Sequence, residues 1–141
     1  MSWLLDTNVV SEVRRGGRAN DGVRAWNERT RGEDKFVSVL VLGEIRRGIE
    51  AKRRRDESTA VALEQWLLRL EETFADRVLI VDRAIAVRWG ALSVPDPLPI
   101  VDGLLAATAI VHDLTLVTRN VRHIERTGVR LLDPFSPPAP R

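Results

Sequence analysis

Short apolar runs alternate with helix-period segments along most of this chain, and that alternation constrains the fold more than any other feature. The runs fall at 2–5, 36–38, 77–81, 114–118 and 129–132. Apolar stretches of this length, closed by polar residues, read as buried strands. Helices are predicted near 7–14, 20–30, 39–54, 57–75, 83–92, 101–112 and 121–126. Leu63, Leu67 and Leu70 recur at helical spacing, Asp82 reads as an N-cap, and Pro95, Pro97 and Pro99 mark a loop. Strands separated by helices pair in parallel through right-handed crossovers. The expectation is therefore an α/β fold with one doubly wound parallel sheet of about five strands flanked by helices.

The 141 residues suit a single domain. We place it at 1–134, with a Pro-rich tail at 135–141 and the whole stretch 133–141 extended or loose. No apolar run approaches the roughly 18 residues needed to cross a bilayer, and no basic region followed by a signal-like stretch opens the chain, so a cytoplasmic protein is expected. The absence of cysteine excludes disulfides, thiolate metal sites and cysteine nucleophiles. Two histidines, His112 and His123, leave little for an imidazole zinc site. Any metal is then held by oxygen, which favours Mg²⁺ or Mn²⁺. The 22 basic residues against 20 acidic ones cluster at 14–18, 46–55 and 119–130. Such clusters can meet phosphate, although a solvated helix face is the simpler account of any one of them.

Acids mark the expected carboxyl edge of the sheet, where ligands of such folds sit. Asp6 ends the first run, Glu44 lies in the helix after 36–38, and Asp102 begins the helix after the proline loop. Asn120 follows the run that ends at Thr118. Asp6 serves equally well as a helix cap. Glu44 is set among Val39, Leu40, Val41, Leu42, Gly43 and Ile45, where an uncompensated carboxylate costs several kcal/mol, although one turn of rotation would put it in solvent. Asp102 alone reads more readily as a cap. Three acids expected in one place are what favour a cation site.

Four segments then carry a family likeness: Leu-Leu-Asp-Thr-Asn-Val-Val-Ser-Glu (4–12), Ser-Val-Leu-Val-Leu-Gly-Glu-Ile-Arg-Arg-Gly-Ile (38–49), Val-Asp-Gly-Leu-Leu-Ala-Ala-Thr-Ala (101–109) and Leu-Val-Thr-Arg-Asn-Val (116–121). In order and spacing they resemble the motifs of PIN-domain ribonucleases. Gly-Val-Arg-Leu-Leu-Asp-Pro-Phe (128–135) is similar to the C-terminal strand and turn of the VapC toxin branch. The resemblance implies a homodimer and a Mg²⁺- or Mn²⁺-dependent endoribonuclease that hydrolyses RNA phosphodiesters, leaving a 3′-hydroxyl and a 5′-phosphate. It maps the catalytic, metal-binding acids onto Asp6, Glu44 and Asp102, with Thr7 and Thr118 in support. The chain departs from the pattern at Asn120, where an acid is frequent, so one tightly held ion and a weaker second are expected. Single-stranded or loop RNA is the expected substrate.

The resemblance also implies a cognate antitoxin whose C-terminal segment crosses the site. The helices at 39–54 and 57–75 are the expected clamp, with Leu42, Ile45, Ile49 and Trp66 as an apolar groove and Arg46, Arg47 and 53–55 facing an acidic partner or RNA. Core packing is the competing role for Leu42 and Ile45, and Trp26, Trp66 and Trp89 read as core or dimer interface. A phosphoacceptor receiver domain is disfavoured because Lys35 and Lys52 are wrongly placed. A haloacid-dehalogenase-like phosphatase needs Asp-x-Asp, whereas this chain reads Asp6-Thr7-Asn8. The remaining alternative is a non-catalytic RNA-binding or protein-interaction module on the same fold, for which Asn120 is the supporting feature.

Overall fold

A computed structural model describes residues 1–136 of the chain. Among them, five strands form one wholly parallel sheet in the order β3-β2-β1-β4-β5, with β1 at Ser2–Leu5, β2 at Asp34–Ser38, β3 at Val78–Leu79, β4 at Thr115–Val117 and β5 at Leu131–Leu132. Seven α-helices connect and cover them: α1 (Thr7–Val13), α2 (Asp21–Arg29), α3 (Val39–Arg53), α4 (Glu57–Phe74), α5 (Arg83–Leu92), α6 (Ile100–Val111) and α7 (Val121–Ile124). The expected α/β architecture is thus the one observed.

Central strands buried on both faces explain the continuous apolar runs. Leu4, Leu5, Leu116 and Val117 pack with Val9, Val37, Val41, Leu105 and Ala106 in one core. Several helix starts follow directly from local chemistry. Ser38 accepts the Leu40 N–H at the head of α3, and Asp82 accepts the Ile85 N–H at the head of α5. Trp26 lies in the core, Trp66 and Trp89 are half-buried, and Trp89 packs where a Cβ on Gly103 would otherwise stand.

The differences from expectation lie at the edges of the sheet. The run 77–81 yields only Val78–Leu79, because Arg77 closes a 3₁₀ turn and is bonded to the Lys35 and Thr73 carbonyls, while Ile80 has left the ladder. β2 begins earlier, at Asp34, since pairing with Ser2 of β1 satisfies its backbone whatever its side chains. The last strand is confined to Leu131–Leu132, and helix 121–126 tightens into a 3₁₀ turn after Ile124 that ends at Gly128, φ 77°. The start of the expected loose tail is ordered instead. Asp133 accepts the Phe135 N–H and the Ser136 hydroxyl, and Phe135 packs against the core. Residues 137–141 of that tail lie outside the described residues.

Candidate active site

The sheet order reverses between β1 and β4. In doubly wound folds the helices leave in opposite directions at such a point and open a crevice at the carboxyl ends of the strands. Asp6 stands there, its backbone N–H donating to the Val117 carbonyl of β4 at 3.0 Å. Its carboxylate, only 5 % exposed, does two things at once. Oδ1 accepts the Thr7 N–H at 2.7 Å as a cap of α1, while Oδ2 accepts the Thr118 hydroxyl at 2.7 Å and a longer contact from Asn8 Nδ2 at 3.4 Å. Cap and functional acid are therefore not exclusive roles for Asp6.

Glu44, half-buried on α3, faces neither the core nor open solvent. Its Oε1 accepts the Thr7 hydroxyl at 2.6 Å, so adjacent residues of one turn bridge Asp6 to Glu44. Asp102 is not the cap of α6, because Pro99 takes that position. It lies in the first turn, 15 % exposed, with His123 Nδ1 at 3.2 Å from Oδ2. Behind it, a Cβ at Gly103 would press on Leu98 and Trp89, so the missing side chain lets this turn of α6 seat closely.

Glu44 and Asp102 are both near enough to act electrostatically on Asp6. Burial pushes the Asp6 carboxyl above its ordinary value, the charges of Asp102 and Glu44 push the same way, and the Thr118 hydroxyl and Thr7 N–H oppose them. Among the described residues no three His, Asp or Glu side chains are drawn up at metal-chelating spacing. The donors are nonetheless hard oxygens without thiolate, and a buried acid flanked by two more gains most from a divalent cation. The residues present thus fit the chemistry of a hard divalent cation.

Thr118 also accepts the Asn120 N–H at 3.0 Å, tying the end of β4 to Asp6. Asn120 occupies the N-cap position of α7 but makes no side-chain capping bond there. Two neighbours escape the sequence reading. Asn8 bridges Asp6 Oδ2 to the Arg119 N–H, and His123 reaches Asp102 from α7. Their only prior signal was position: Asn8 in the first turn after Asp6, His123 three residues beyond Asn120.

Of the five arginines assigned to the clamp, Arg46 and Arg53 are engaged within the chain. Arg46 meets Glu64 at 2.6 Å and Glu50 at 3.2 Å, and Arg53 meets Glu50, Glu57 and Glu64. Arg47 is exposed and in no ion pair among the described residues. Beside Glu44 and Thr7 runs a groove of about 320 Å³ whose apolar wall is Ile45, Ile49, Leu63 and Trp66. Leu42 is half-buried against the core rather than part of that wall, and the groove's cations are Lys52 and Arg14, the latter 5.4 Å over the Trp66 ring.

Comparison with known proteins identifies the family to which this fold belongs. Over 139 residues the chain is 32 % identical to "Toxin FitB" of Neisseria gonorrhoeae, covering 94 % of this chain and 97 % of that one. It is 39 % identical over 79 residues to "Ribonuclease VapC14" of Mycobacterium tuberculosis, covering 56 % and 69 %. The solved structure of FitAcB from Neisseria gonorrhoeae superposes with a TM-score of 0.81 at 30 % identity, over 94 % of this chain and 98 % of that one. The PIN domain matches residues 3–129, and the chain belongs to the PIN-domain family.

Proposed function

We propose that this protein is a divalent-metal-dependent endoribonuclease, the toxin of a toxin–antitoxin pair, using Asp6, Glu44 and Asp102. The observation that carries the reading is the electrostatic meeting of three acids, from motifs far apart in sequence, at the switch point of the sheet. PIN-domain nucleases are generally divalent-metal dependent, and the oxygen-only donor set favours Mg²⁺ or Mn²⁺ over zinc. Relatives whose names include toxin and ribonuclease support the activity.

Bound, the ion would supply Lewis acidity and an activated water for in-line attack on the phosphodiester. Asp6, Glu44 and Asp102 would hold it, offsetting their own repulsion of the anionic substrate. Thr118 fixes one Asp6 oxygen, Thr7 orients both Asp6 and Glu44, and His123 restrains Asp102. Asn120 stands at the same edge without adding charge, which is consistent with one tight ion and a weaker second.

The groove beside Glu44 is the assigned seat of the antitoxin's C-terminal segment: an amphipathic peptide would set apolar side chains on Ile45, Ile49, Leu63 and Trp66 and acidic ones toward Arg14 and Lys52. The exposed Val87 and Val111, with Ala84, Ala91 and Ile110, line a second groove bordered by Arg83 and Arg88, which we assign to the homodimer contact. No helix among the described residues is long and apolar enough to cross a membrane, which accords with a cytoplasmic role.

The test is cleavage of a labelled single-stranded RNA by the full chain. Activity lost in EDTA and restored by Mg²⁺ or Mn²⁺ supports the reading. Full-rate cleavage in EDTA overturns the metal mechanism, and calorimetry detecting no divalent binding, together with no cleavage, favours the non-catalytic module.

A further inference from the structure

We propose that the groove formed by Arg15, Arg18, Arg119 and Phe135 binds the single-stranded RNA next to the cleaved phosphate; this rests on the ribonuclease reading above. The groove holds about 470 Å³ and is lined by those four residues with Glu12, Ala19, Asn20 and Asp21. It unites two basic clusters that are about a hundred residues apart in the chain.

Its connection to the active site is covalent and short. Arg119 follows Thr118, whose hydroxyl holds Asp6, and the Arg119 N–H donates to Asn8 Oδ1. Along α1, Asn8 and Glu12 are four residues apart and share a face, which leads from the acids toward Arg15. A strand whose scissile phosphate lies at Asp6 would continue over this face into the groove.

The charge balance favours an anion. Both acids of the wall are already engaged: Glu12 accepts the Asn20 N–H at 2.8 Å and pairs with Arg15 at 3.1 Å, and Asp21 pairs with Arg24 at 2.7 Å. Arg18 and Arg119 have no carboxylate partner within salt-bridge distance among the described residues. Two guanidinium groups are thus left to meet phosphates, which a planar fork can engage bidentately.

The aromatic component favours an unpaired strand. The Arg119 guanidinium lies 4.4 Å from the Phe135 ring centroid, and Phe135 is held by the turn that Asp133 closes. Stacked guanidinium and aromatic planes receive the faces of splayed bases, which a duplex keeps covered.

Anisotropy of a fluorescein-labelled single-stranded RNA, measured on the full chain in an Asp6→Asn background across a salt series, tests the groove. Arg18→Gln and Arg119→Gln should each weaken binding about threefold or more and lower the slope of log affinity against log salt by about 0.7 per lost phosphate contact. Phe135→Leu should weaken binding about fivefold with the slope kept. Arg31→Gln, on the exposed Arg31–Glu28 pair, should change nothing. Arg18 is an exposed residue of a 3₁₀ turn, so its variant tests the groove even if Phe135→Leu or Arg119→Gln melts early. Wild-type affinity and slope in the arginine variants overturn the groove while metal-dependent cleavage leaves the nuclease reading intact. Equal affinity for a labelled duplex of the same sequence overturns the single-strand assignment, and a parent chain that neither binds nor cleaves RNA overturns both.

Discussion

The acidic edge at Asp6 and the outer face of α3 and α4 arrange charge in opposite ways. At the edge, burial first and then the charges of Asp102 and Glu44 push the Asp6 carboxyl toward its neutral form. Across α3 and α4, Arg46 and Arg53 interleave with Glu50, Glu57 and Glu64. There the guanidinium of Arg53 holds Glu50 below its ordinary value, and that of Arg46 does the same for Glu64. On the proposed reading, one region gives up stability in the metal-free protein so that a cation is drawn to it; the other ties two helices together. The proposed function is located where charge is unbalanced.

The largest expected effect breaks the first half of that contrast. Asp6→Asn should lower RNA cleavage by about 100-fold or more, beyond the 10–100-fold typical of residues that only support a metal ligand, with the melting temperature in EDTA equal or higher. The pH dependence fixes the sign. The folded Asp6 carboxyl lies above its ordinary 3.8, so its ionisation penalises the fold once pH rises past that value. The melting advantage of Asp6→Asn over wild type in EDTA should be absent near pH 3 and grow toward neutrality. An advantage that shrinks as pH rises would show that Asp6 is a stabilising cap rather than a strained acid.

A smaller effect tests the other region. Glu64→Gln should leave cleavage unchanged and lower the melting temperature slightly at neutral pH, since exposed pairs contribute little. Glu64 is held below its ordinary 4.5, so this loss should be present above that value and fade as the medium becomes acidic. The two variants should therefore respond to pH in opposite senses.

The smallest effect sharpens the comparison. Asn120→Asp should tighten divalent-ion binding in calorimetry, because a carboxylate ligates hard cations better than an amide, while lowering the metal-free melting temperature by adding another like charge. Unchanged stoichiometry and affinity would place Asn120 outside the metal site.

What the sequence disclosed, and what it did not, follows from the range of each interaction. Asp82 and the limits of α5 were legible because capping acts within a few residues. Asp6 and Asp102 were legible as the end of a strand and the start of a helix, and Glu44 as an acid set in an apolar helical stretch, positions that the parallel architecture carries to one edge. The contacts of Arg46 with Glu64, His123 with Asp102 and Arg119 with Phe135 were not. They depend on how helices and turns meet in space, for which no periodicity exists. Strand length failed at β3 for a related reason: an edge strand ends where its neighbour stops pairing, not where apolar residues run out.

The bond from Thr118 to Asp6 joins residues 112 positions apart. Such a contact forms only after β4 has inserted beside β1, and long-range pairings of this kind are slow to assemble. A partly folded chain therefore holds its acids on separate segments. If the chain is a toxin, harm is deferred until the sheet is complete, and the folding time is an interval in which an inhibitor already present can arrive first.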